Sequence, residues 1–389
     1  GVTDLTGLPT AWNATKNIAW VTPLPGPGAS SPVVLGNKIF LTAYSGYGLD
    51  QRKPGDPAQL VYHLLCISAT NGSILWDKKI PAKNPEAKYS GAGALHGYAA
   101  ASPVVAADAV YATFGPNGVH AFDFSGKQLW EHNVGTKTHG WNSGASPILY
   151  GDLVIVNASV ESGNLVALDR KTGRQKWSQP GMLESWTTPI ILKTGGRDEL
   201  VVSVKNAIKA FAPQSGNPLW SAPGISCYVV PSPIQHRGVV YCTGGLPNAT
   251  GLIAIKAGPG PNKRDDVYMH KGKGNNVSSP VYYENRIYFA HESRGVAFCF
   301  DATSGAIIYE RPLTPKPGLI YASALLAEGR IYYASRENGV YVIEATREFK
   351  QIAHNVIETD KTIFNASPVP LTGGRLLLRS DKALYCIGR

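Results

Sequence analysis

The groups in this 389-residue chain that could move protons sit in short aromatic segments. His96 and Tyr98 stand in LHGYAAA, His139 in HGWNSGA, Tyr228 in SCYVVP and Tyr321 in LIYAS. An imidazole titrates near neutrality and a phenol can share its work, so these five are the candidate catalytic residues. The same segments and their relatives ESWT, NNVS and TIFNA carry Trp141, Asn142, Glu184, Trp186, Asn275, Asn276, Phe364 and Asn365. Flat faces mixed with amide and carboxyl groups suit a small-molecule or sugar site, and these eight are the candidate ligand-binding residues. The bland alternative is that the same aromatics simply plug a channel. A metal would have to draw on His96, His139 and Glu184, but no His pair has ligand spacing, so no metal is expected. Five Cys without C-x-x-C spacing indicate neither a zinc knuckle nor a disulfide framework, and Cys227 alone lies in one of these segments.

Each segment leads into a Ser-Pro-like pair. The pairs begin at Ser31, Ser102, Ser146, Thr188, Ser232, Ser279, Ser323 and Ser367, and from Ser102 onward the steps are 44, 42, 44, 47, 44 and 44 residues. The first step, 71, is lengthened by Gly/Pro/Lys-rich insertions at about 44–62 and 81–99, and another falls at about 258–274. Within a repeat the order is constant: a short SPVV-like strand, a second strand such as DLVIVNA, a third such as LVALDRKTG, then an aromatic four residues after the turn Gly. Gly72 to Trp76, Gly126 to Trp130, Gly173 to Trp177, Gly216 to Trp220 and Gly305 to Tyr309 all keep that offset. The fifth repeat, with Tyr268 after its insertion, and the seventh, with ATREFKQIAH, weaken the pattern. Cys66, Cys299 and Cys386 occupy the third-strand slot held elsewhere by Ala121, Ala167, Ala210, Ala254 or Val342, which makes them small core residues.

A four-stranded unit of this length cannot bury both faces alone. Repeated eight times it predicts an all-β, eight-bladed β-propeller of four-stranded antiparallel blades forming one domain over 1–389. The last repeat stops after its third strand, and KNIAW near the N-terminus keeps the aromatic offset, so a strand at about 16–24 is expected to complete the last blade and close the ring. In such a ring the segments before the Ser-Pro pairs converge on one mouth of the channel.

The A-x-D-x-x-T-G-x-x-x-W stretch from Ala167 to Trp177, with relatives ending at Trp76, Trp130 and Trp220, resembles the tryptophan-docking repeat of the pyrroloquinoline-quinone-like propeller superfamily, and the opening residues look like the start of BamB-like propellers. The resemblance covers essentially the whole chain. It implies an exported bacterial protein, periplasmic or secreted, whose relatives include an outer-membrane assembly factor and quinone-dependent dehydrogenases. Those dehydrogenases carry adjacent cysteines, a calcium site and a catalytic Asp. This chain has no Cys-Cys pair and no clear Asp at the mouth, so pyrroloquinoline quinone with calcium is not expected as a cofactor.

Composition narrows the rest. With 43% hydrophobic and 16% charged residues the chain is a packed globular protein, and no apolar run reaches the roughly 18 residues that span a bilayer. The opening GVTDLTGLPT is not a charged-then-apolar leader, and a mature form whose leader has been removed is the expectation. The net charge of +10 (37 − 27) would gather acidic chains without specifying them. The expected partners are an acidic glycan or a protein, with no nucleic acid, and the expected state is a monomer. Three functions remain open at this point: a ligand- or protein-binding scaffold acting through the mouth; a lyase on a uronate-containing glycan using His and Tyr; and a quinone-dependent dehydrogenase.

Overall fold

The structure, a computed structural model, describes residues 1–194, 196–246, 250–257 and 264–388. The insertion expected at about 258–274 therefore lies in part outside the described residues. Eight sheets, seven of four strands and one of five, follow one another around a ring. Blades one to seven occupy 33–81, 104–132, 148–180, 190–223, 234–271, 281–312 and 325–355; blade eight combines 369–387 with the N-terminal strand Ile18–Pro23. Within every blade neighbouring strands are antiparallel. The N-terminal strand pairs with the third strand of blade eight, from Ile18 opposite Ile387 to Pro23 opposite Ala383, so the two ends of the chain close the ring. A second N-terminal piece, Val2–Thr3, pairs in parallel with the free edge of blade seven's inner strand and gives that sheet its fifth strand.

The aromatic offset has a cross-strand cause. Trp76 stands opposite Cys66, Trp130 opposite Ala121, Trp177 opposite Ala167, Trp220 opposite Ala210, Tyr309 opposite Cys299 and Trp20 opposite Cys386. In each pair a β-bulge follows the small residue. The third-strand slot is small because an indole must lie across it, and the bulge tilts that indole toward the next blade. There it covers the next turn glycine: Trp20 on Gly72, Trp76 on Gly126, Trp130 on Gly173 and Trp177 on Gly216. The indole N–H of Trp76, Trp130 and Trp177 donates to Phe124, Arg170 and Pro213 oxygens at 3.0, 3.0 and 3.1 Å.

Blade seven has Ala353 in the aromatic slot, opposite Val342. Trp12, from the N-terminal segment, packs instead into the core shared by blades seven and eight, where its backbone N–H donates to Asn355 at 3.0 Å. Apolar side chains from each pair of adjacent blades form one cluster per seam, and these clusters, rather than a central core, hold the ring. Cys66, Cys242, Cys299 and Cys386 are buried free thiols, and burial pushes Cys66 up to about 11 and Cys242 to about 12.

Two outcomes check this account. Gly173 and Gly151 both have positive φ, but a Cβ on Gly173 would stand 2.7 Å from the Trp130 ring while one on Gly151 would meet nothing within 4 Å. Thermal unfolding should therefore show G173A losing roughly 1–3 kcal/mol and G151A less than half as much. Deleting residues 1–24 should lower the melting temperature or split the transition, because it removes the closing strand and Trp12 together; an unchanged single melt would refute closure.

Candidate functional site

The first layer of the site is made by the Ser-Pro pairs themselves. The Ser31 N–H donates to Ser102 Oγ at 2.8 Å, Ser102 to Ser146 at 3.0 Å, Ser146 to Thr188 at 3.1 Å and Thr188 to Ser232 at 3.0 Å. Ser232 donates to Ser279, Ser279 to Ser323, Ser323 to Ser367 and Ser367 back to Ser31, each at 3.0 Å. The result is a closed collar of eight hydroxyls around the axis. A hydroxyl is needed in each repeat because it accepts the neighbouring blade's N–H, and in seven of the eight repeats the following Pro has no N–H of its own to satisfy, Ala324 being the exception.

The second layer lies two residues earlier. In an extended entry segment alternate residues face the same way, so the positions two before each hydroxyl also point at the axis. They are Ala29, Ala100, Gly144, Trp186, Val230, Val277, Tyr321 and Asn365, and all eight line a cavity of about 320 Å³ with most of the collar. Five are small, so the axis is left open; plugging aromatics would have filled it. Ala92, His96, Trp141 and Asn276 complete the wall.

Residues 82–99 cross above this cavity as a strap. Its turn Gly91–Leu95 is tied to blade three by Gly93 N–H to Gly140 oxygen (3.0 Å) and by the Asn142 amide to Gly97 oxygen (3.1 Å). On the opposite side Leu95 oxygen accepts from Arg336 Nη1 (2.5 Å) and Asn365 Nδ2 (2.7 Å). Arg336 is buried, donates also to Asn365 Oδ1 at 2.8 Å, and lies 4.8 Å from the centre of the Tyr321 ring.

Of the residues singled out in the sequence, His96, Trp141, Trp186, Asn276, Tyr321 and Asn365 line the cavity. His139 stands behind them, 5.0 Å from the Trp186 ring, its Nδ1 accepting the Trp141 N–H at 3.1 Å. Tyr228 stacks on Trp141 at 4.5 Å. The others are spent on the fold. The Tyr98 hydroxyl donates to Ala87 oxygen at 2.8 Å, Asn142 holds the strap, and Asn275 donates to Ser278 oxygen at 2.8 Å. Glu184 pairs with Lys205 at 2.5 Å, and Phe364 packs on Tyr385. Glu184 is thus committed to Lys205 and is not among the residues that line the cavity with His96. No group of three His, Cys, Asp or Glu residues able to hold a metal occurs among the described residues.

Asn142, Glu184 and Tyr228 share one slot, four residues before the hydroxyl, and all three adopt positive φ (50°, 43° and 47°). That backbone is costly for Glu and Tyr, about 1–3 kcal/mol each, and it redirects the entry chain in blades three to five so that Trp141, Trp186 and Tyr228 stack together. Ala29, Ala100, Gly144, Val230 and Val277 were not singled out, although the period-two spacing ahead of each hydroxyl marks them.

Burial sets the protonation of the site. His96 is pushed down to about 4, chiefly by desolvation, so it is neutral at pH 7. Within the strap, Glu86 receives the Tyr62 hydroxyl, and in blade three Glu161 receives the Ser143 hydroxyl. Desolvation, with some repulsion from Glu161, raises Glu86 from 4.5 to about 7.

Residues 58–190 match the family model described as outer membrane protein assembly factor BamB. The curated protein of that name from Burkholderia pseudomallei is 25% identical over 238 residues, a match spanning 59% of this chain and 59% of the relative's length. BamB from Moraxella catarrhalis superposes with a TM-score of 0.63 at 14% identity, covering 95% of this chain and 96% of that one. Quinohemoprotein alcohol dehydrogenase from Comamonas testosteroni gives 0.60 at 11% identity, over 96% of this chain and 76% of the other. The fold is that of the eight-bladed propellers assembled from short antiparallel repeats. Within that class the chain is similar to BamB-like propellers of pyrroloquinoline-quinone-type repeats, in sequence over residues 58–190 and in fold over nearly its whole length.

The raised Glu86 gives a pH prediction. A carboxyl whose folded pKa exceeds its unfolded value favours the fold most below about 4.5 and loses that contribution as pH rises through about 7. The melting temperature of E86Q relative to the unchanged protein should therefore rise between about pH 4.5 and 7, on a background to which Asp381, raised to about 6, and Glu161 contribute in the same sense as Glu86 and the buried His96 and His291, both lowered to about 4, in the opposite one. An identical slope in E86Q would remove Glu86 from the account.

Proposed function

We propose that this chain is an exported, monomeric binding scaffold that receives a ligand or a segment of a partner protein in its mouth and performs no chemistry there. The observation that carries the reading is the cavity itself. Its inner layer is small in five blades and aromatic or amide in three, so a space of about 320 Å³ is held open above a hydroxyl collar. That volume is at the small end of ligand sites. The name of the Burkholderia relative, an outer membrane protein assembly factor, supports an exported protein with protein partners.

The enzyme readings find less support. Proton transfer by His and Tyr needs both at the reacting atom, yet the Tyr98 hydroxyl is committed to Ala87 and His139 stands behind Trp186. Pyrroloquinoline quinone is a tricarboxylate that binds with calcium, and the cavity wall offers it no cationic side chain and no carboxylate for the metal, so these residues do not fit the group. No among-described helix is long and apolar enough to cross a membrane.

Two assays test this. Incubation with alginate, pectate or hyaluronan should give no rise in ultraviolet absorbance from unsaturated products, and added quinone with calcium should give no dye reduction with alcohols. Product formation that disappears in H139A would overturn the reading. In a tryptophan-fluorescence screen of mixed small molecules and peptides, some ligand should perturb the emission, and A100L, which fills the inner layer, should abolish that response.

A further inference from the structure

We propose that the cavity is built for a neutral, hydroxyl-rich six-membered ring, a hexopyranose unit, and discriminates against its carboxylated counterpart. This deepens the binding reading above and rests on it.

The floor supplies the first argument. Each collar hydroxyl has accepted one backbone N–H from the neighbouring blade, and its own proton has no acceptor among the described residues. Seven of the eight line the cavity. A ring of uncommitted O–H groups is best matched by a ligand with oxygens spaced around its perimeter, because each hydroxyl can donate to one oxygen and still accept from a second. An apolar side chain placed there would leave those groups unpaired.

The walls supply the second. Trp141 and Trp186 stand 5.3 Å apart at 42°, on blades three and four, while Tyr321 belongs to blade seven, opposite blade three in an eight-membered ring. Flat rings on both sides of the axis suit a ligand that is itself flat, with C–H groups on its faces and oxygens at its edge. From the strap, His96 lines the cavity as a neutral imidazole.

Charge supplies the third. No residue lining the cavity carries a charge at pH 7. Arg336 is not a lining residue: its guanidinium lies over the Tyr321 ring, with Nη1 bound to Leu95 oxygen and Asn365 and its Nε buried without a partner. A carboxylate entering would surrender its hydration without gaining an ionic partner, which is strongly unfavourable. The net charge of +10 draws acidic chains toward the molecule but places nothing inside the cavity to hold one. A neutral glycan is accordingly the ligand expected in the cavity, whereas composition alone points to an acidic one.

The test is calorimetry and saturation-transfer NMR on the full chain at pH 7. The probes are methyl glycosides of glucose, galactose and mannose, maltose and cellobiose, and glucuronic and galacturonic acids. At least one neutral sugar should bind, with saturation strongest at ring C–H protons, and its uronate should bind at least about tenfold more weakly. S279A, removing one collar hydroxyl, should weaken binding about three- to tenfold, and A100L should abolish it; circular dichroism and melting curves establish that both variants fold. Equal or tighter uronate binding, or no sugar binding at all, overturns the proposal. If sugars fail but peptides perturb the tryptophan emission in an A100L-sensitive manner, the sugar assignment falls and the binding reading stands. If neither class responds, both fall.

Discussion

The closed chain of eight hydroxyl-to-amide hydrogen bonds at the start of the inner strands is the constraint on which the rest of this molecule depends. Each bond joins one blade's backbone to the next blade's side chain at 2.8–3.1 Å, and the last returns to the first. A single such bond contributes only about 1 kcal/mol, but eight in a closed circuit fix the position of every entry segment relative to the axis. Everything at the mouth is built a fixed number of residues upstream of that circuit. The two-residue alternation of extended backbone then decides which side chains reach the axis, and five small residues at those positions create the cavity.

The outer seams obey a different rule. An aromatic four residues past the turn glycine needs a small partner across the ladder and an open glycine on the next blade, so three positions in two blades are coupled by one indole. Cys66, Ala121 and Ala167 are small for the same reason that Gly126, Gly173 and Gly216 are glycine. Where blade seven lacks the aromatic, the N-terminal segment brings Trp12 to its seam, so the termini supply a missing strand and a missing wedge alike. Closure therefore depends on residues far apart in sequence, as the contact between Ser367 and Ser31 also does.

Over this regular frame the strap at 82–99 breaks the eightfold symmetry. It joins blade three on one side to blades seven and eight on the other and carries His96 over the cavity. Its anchors are polar groups, among them the buried Arg336 and the half-buried Glu86 carboxyl. These groups make the strap specific in position and sensitive to protonation. A symmetric ring gives eight equivalent walls. The strap, together with Trp141, Trp186 and Tyr321, converts them into one asymmetric site.

The repeat period, the eight blades and the closing strand were legible in the sequence because each is a local pattern copied eight times: hydroxyl, alternating strand, turn glycine, aromatic. The mouth segments were legible too, since they precede the hydroxyls at constant spacing, and six of the residues chosen from them line the cavity. What the tertiary structure decided is which of the remainder face the ligand. Tyr98, Asn142, Asn275 and Glu184 have the right chemistry but turn to the strap, a neighbouring backbone oxygen or Lys205. The left-handed backbone at Asn142, Glu184 and Tyr228 changes side-chain direction in a way that residue type does not announce. Sequence spacing fixes the distance along the chain to the axis. The direction of a side chain at its end is set by φ and by partners from other blades, and these exist only once the ring has closed.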